Sequence, residues 1–176
     1  MGMPMIDRMA ARVALVVALV FAIVPARAAT LDQRDTARLA DINAAIESFE
    51  SDIRNALHHL PRDDAEQIES YAYVELNLEA AHERLNNIFM MVAVSIFVES
   101  PTDELLVLNV MHGQLLQRSR NYLVEKKEAI ASMAVAHPSN TVFETYSARA
   151  DAILGERAIP LLDELDRRIA AVGPRP

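Results

Sequence analysis

Leu39, Ile42, Ile46, Phe49, Ile53, Ala56 and Leu60 follow one another at steps of three and four, the spacing that sets side chains on one face of an α-helix. A half-buried strand needs steps of two, and no segment with that period competes. Apolar stripes of helical spacing recur on Tyr71, Val74, Leu78, Ala81, Leu85, Ile88 and Val92, and on Leu105, Leu108, Leu115, Tyr122, Ile130 and Met133. The last is Tyr146, Ile153, Leu154, Leu161, Leu165 and Ile169. Thr30 with Gln33, and Thr141 with Glu144, read as capping boxes that open the first and fourth helices. Pro61 and the acidic turn at Asp63 and Asp64 divide the first helix from the second. Ser100-Pro101 opens the third, and His137-Pro138 stops it near Ala136. Helices of roughly 30 to 38 residues joined by links of about 3 to 6 predict an all-α fold, an antiparallel up-down-up-down four-helix bundle over residues 29–172. Gly155 and Pro160 predict a kink near Arg157. Residues 173–176, Gly-Pro-Arg-Pro, read as a disordered tail.

The apolar residues are more numerous than one bundle seam uses. Ile88 to Val98 is interrupted only by Ser95, and Leu105 to Met111 only by Asn109, with the polar tip Glu99 to Glu104 between them. With Tyr71 at the first core position of a heptad, Tyr73, Leu76, Met90, Val94 and Phe97 fall on faces that are polar in a lone bundle. These five, with Val107 and Val110 of the third helix, predict a contact surface for a homodimer or another periplasmic protein. Met90, Met91 and Met111 suit an adaptable contact and equally suit a gap-filled core. The competing use of the surplus is burial inside one bundle under a kinked fourth helix. Insertion of the hairpin into lipid would carry the acidic tip across the bilayer, which disfavours stable membrane insertion.

Ahead of the helices, Arg8 and Arg12 precede a dozen apolar residues, Val13 to Val24, and Pro25 ends the run before Ala26-Arg27-Ala28. Basic start, short apolar core and small residues before the cut predict a signal peptide over residues 1–28, cleaved before Ala29. A retained anchor is disfavoured because the run spans only about 18 Å against a bilayer core of about 30 Å. The expected location is the periplasm, or outside the cell. Residues 1–28 hold Asp7 against Arg8, Arg12 and Arg27, so their loss takes the net charge from −8 to about −10. So acidic a body argues against nucleic acid as a partner. The chain has no cysteine, which excludes disulfides, thiol nucleophiles, thiolate metal sites, c-type haem attachment and a lipobox lipid anchor.

For chemistry the pattern offers little. Glu79-Ala-Ala-His82 has the spacing of a di-iron ligand pair, yet it occurs once, and the register turns Glu79 outward. Folding the hairpin about its tip brings Arg118 and Arg120 level with Glu79 and Glu83, as surface ion pairs. His112 falls on the inward side of the third helix, opposite roughly Met90. A carrier that binds haem or a small apolar ligand near His112 and Met90 is therefore the alternative reading. His58 and His59 suit the negative end of a helix dipole, and His137 is a loop residue before proline. Glu47, Glu50 and Asp52 straddle more than one face and read as solvated. The polar stretch Gln117 to Glu128 reads as a looser, hydrated layer. Without a nucleophile elbow, a phosphate loop or a Ser and His set on one face, the expectation is a protein that is not an enzyme and needs no cofactor.

Overall fold

The computed structural model describes residues 31–98 and 100–172; the expected signal peptide and tail lie outside them. Four helices and no strand account for these residues. Helix α1 is Gln33–His59 and α2 is Ala65–Phe97. Helix α3 runs through Pro101–Val110, a π-helical stretch Met111–Leu116, and Gln117–Ala136. Helix α4 runs through Thr141–Ala150, a second π-helical stretch Asp151–Ala158, and Ile159–Val172.

The helix starts follow local chemistry, with two corrections. Asp32, not Thr30, caps α1: its carboxylate accepts from the amides of Arg34 and Asp35, while Asp35 accepts from the Asp32 amide. Asn140 caps α4 through the Val142 amide, and Thr141 is already the first helical residue. At α1 the acceptor Asp32 directly precedes the first helical residue, and at α4 the helix begins one residue earlier than the Thr141 cap would allow, which leaves Asn140, as good an acceptor as threonine, in the cap position. Asp64 caps α2. Ser100 holds the cap position of α3 ahead of Pro101 but makes no side-chain capping bond.

Residues far apart in sequence meet in opposite order along adjacent helices. Arg54 reaches Glu75 and His82 reaches Glu50 between α1 and α2, while Arg84 lies over the Tyr122 ring and Ser70 meets His137 between α2 and α3. His112 pairs with Asp166 and Lys127 with Asp151 between α3 and α4. Arg38 pairs with Glu164 and Arg149 with Asp52 between α1 and α4. The interior is one apolar cluster shared by all four helices. At one end it closes in rings: Phe49, Tyr71, Phe143 and Tyr146 stand with centroids 5.2 to 6.2 Å apart.

The π-helical stretches alter the predicted register. In α3 the buried side chains are Leu108, Met111, Leu116, Ser119, Leu123 and Ile130. The wider turn inserts a residue between Met111 and Leu116, which moves the stripe from Leu115 and Tyr122 to Leu116 and Leu123. Leu105, predicted in the core, is exposed. Around Arg157, where the sequence predicts a kink, α4 widens into the π-helical stretch. The Ile159 amide donates to Leu154, five residues back, which carries the helix up to Pro160, whose nitrogen cannot donate.

Candidate contact surface and the buried polar groups

On α2 the inner stripe Val74, Leu78, Ala81, Leu85, Ile88 and Val92 is fully buried. Tyr73, Leu76, Met90, Val94 and Phe97, on other faces of the same helix, are 43 to 63% exposed. Helix α3 adds Leu105, Leu106 and Val110 in the same range, while Val107 is half-buried against the core. The helix fills its share of the interior with this face and with Tyr71, Phe89 and Ala93, and the other described elements leave Tyr73, Leu76, Met90, Val94 and Phe97 open. Such a surface, interrupted by few charges, is suited to contact rather than to chemistry.

His112 sits in the π-helical stretch of α3 with Nδ1 2.7 Å from Asp166 Oδ1. Met90 stands nearly half exposed on α2. An axial pair needs both side chains turned into one interior, and these two are turned to different surroundings. Among the described residues no three His, Asp or Glu side chains converge as metal ligands do. Glu79 is exposed, and its sequence neighbour His82 turns to α1, with Nδ1 3.2 Å from Glu50 Oε1 and Nε2 3.7 Å from Glu47.

That contact corrects the reading of Glu50 as solvated: it is buried, and Arg54 Nη2 lies 3.3 Å from its other oxygen. Arg54 in turn donates to Glu75 at 2.6 Å. The hydrogen bond to Glu50 raises the His82 pKa above its ordinary value, against the opposing effects of burial and of Arg54. Asp52 stays at the surface with Arg149. Arg120 pairs with Asp163 of α4 rather than with the α2 carboxylates, because the shifted α3 register turns it that way.

A second buried carboxylate had no signal in the heptad pattern. Asp35 receives both terminal nitrogens of Arg168, at 2.9 and 2.7 Å, while serving as the reciprocal member of the α1 capping box. The Arg168 pKa is raised, chiefly by its hydrogen bond to Asp35. Burial raises the Tyr146 phenol to about 12, with the neighbouring Tyr71 and Asp52 adding to the shift, so the ring cluster stays neutral at all physiological pH. Ser119 Oγ and Asn43 Oδ1 are buried without a hydrogen-bond partner. Ser119 and Leu123 are fully enclosed, while the other residues from Gln117 to Glu128 are exposed or half-buried. An open groove of about 450 Å³ runs between α3 and α4 past Lys127, Glu128, Glu144, Ser147 and Asp151, and Lys127 and Asp151 close on each other across it at 2.8 Å.

No described helix is long and apolar enough to cross a membrane. Comparison of the chain with protein-family models, with curated proteins and with solved structures gave no match.

Proposed function

We propose that this chain is an exported, non-enzymatic up-down-up-down bundle that acts by protein–protein contact through the α2–α3 hairpin, by self-association in the first instance. Residues 1–28 direct it to the periplasm and are removed there. The observation that carries the reading is the open apolar surface of Met90, Val94, Phe97 and Val110, with half-buried Val107 at its margin. Exposed side chains of this size are unremarkable singly, and here Met90, Val94 and Phe97 follow one another at helical spacing near the hairpin tip, with Tyr73 and Leu76 exposed on the same side nearer the start of α2. The carrier alternative draws no support from His112, which is engaged with Asp166.

The test is light scattering on the purified exported protein beside Met90→Glu and Phe97→Glu. The expected outcome is a dimer that either substitution converts to a folded monomer with unchanged helical circular dichroism. A monomer at every concentration for the unsubstituted protein would contradict self-association. The mass of the exported chain checks the leader separately, with Ala29 as the expected first residue.

A further inference from the structure

The exposed positions of α2 have an internal order. Tyr73, Leu76, Ala80, Glu83, Asn87, Met90, Val94 and Phe97 are spaced three, four, three, four, three, four and three, an unbroken second heptad seam on a helix whose first seam fills the core. Ala80 is half-buried, while Glu83 and Asn87 are exposed. Three apolar positions on each side therefore flank a polar pair at the middle, Tyr73, Leu76 and Ala80 before it and Met90, Val94 and Phe97 after it.

Resting on the self-association reading, we infer that the partner is a second copy of this chain, docked with its α2 antiparallel to the first about a two-fold axis near Leu85. In that register Tyr73 lies opposite the partner's Phe97, Leu76 opposite the partner's Val94, and Ala80 opposite the partner's Met90. Aromatic meets aromatic, branched aliphatic meets branched aliphatic, and the smallest side chain meets the longest and most pliable. Glu83 lies opposite the partner's Asn87, whose amide donates to the carboxylate, and the two-fold axis makes that contact twice. A parallel pairing in register would set Glu83 against the partner's Glu83, two like charges at a closing interface. Polarity thus selects the direction, and the match between the two halves of the seam points to a second copy as the occupant. The polar layer then works as a register key: any slip by one heptad moves a carboxylate against an apolar side chain.

Because the chain has no cysteine, an introduced thiol is the only one present. Leu76→Cys and Val94→Cys are made in the full chain, at exposed positions whose replacement leaves the core untouched. Each is oxidised alone and then mixed with the other. In the antiparallel dimer Leu76→Cys meets Val94→Cys within disulfide reach, whereas two copies of either variant hold their thiols about 27 Å apart at about 1.5 Å per helical residue. The mixture is expected to yield disulfide-linked dimer at least tenfold faster than either variant alone, with mass spectrometry finding one of each chain in the product. Self-linking of each variant at the rate of the mixture overturns the antiparallel register in favour of a parallel one. Absence of linking in a protein that is dimeric by scattering overturns the α2 docking while leaving self-association standing. A monomeric protein overturns both.

Discussion

The two sides of α2 carry much the same apolar chemistry and meet different fates. Leu78, Leu85 and Ile88 have no exposed surface, while Leu76, Met90 and Phe97, a few residues away on the same helix, keep roughly half of theirs. Hydrophobicity alone therefore does not distinguish a core face from a docking face; phase does. The inner seam is in register with the rest of the core and is covered by it, whereas the outer seam is left about half open by the described residues.

That contrast can be broken by substitution. Leu78→Ala, on the inner seam, is expected to cost about 2–5 kcal/mol in urea unfolding, because it leaves a cavity among fixed neighbours. Leu76→Ala is expected to change the stability of the monomer by about 0.5 kcal/mol or less. Equal losses at the two positions would mean that the outer face is structural. Next in size is Arg168→Met, which strands the buried Asp35 carboxylate. A fully enclosed pair loses about 3–5 kcal/mol when one partner goes, and the partly solvated Arg168 head reduces the expectation to about 2.

A smaller effect comes from pH. The His82 pKa is raised in the folded chain by Glu50. Its contribution is fully present below the unfolded value of 6.5 and is lost as pH climbs through the higher folded value. Unfolding free energy measured from pH 6 to pH 9 is expected to fall, and His82→Gln is expected to flatten that part of the curve. A slope that His82→Gln leaves unchanged would remove His82 from the explanation.

How much of this was legible in the sequence follows from which residues depend on their own helix and which on a neighbour. The inner seams of α1 and α2 need only a period of 3.6, and Leu39 to Ile53 and Val74 to Val92 are buried as their spacing requires. The five outward positions of α2 followed from the same phase. The second half of α3 did not, since nothing in Met111 to Leu116 marks a wider turn, and one inserted residue exchanges Tyr122 for Leu123 in the core. Glu50 and Asp35 were illegible for another reason. A carboxylate beside a seam is buried only if a cation on a different helix arrives to meet it, and His82 and Arg168 stand 32 and 133 residues away. The surface itself was visible in the pattern, while the side chains that surround His112 were not.

Two methionines allow the most direct measurement. Met90 lies on the outer seam and Met111 is fully enclosed, so peroxide oxidation followed residue by residue reports both faces of one molecule. The expected result is that raising the protein concentration slows Met90 oxidation several-fold, as a second chain covers it, while Met111 stays slow throughout. A Met90 rate that is independent of concentration would contradict a second copy on the outer face of α2.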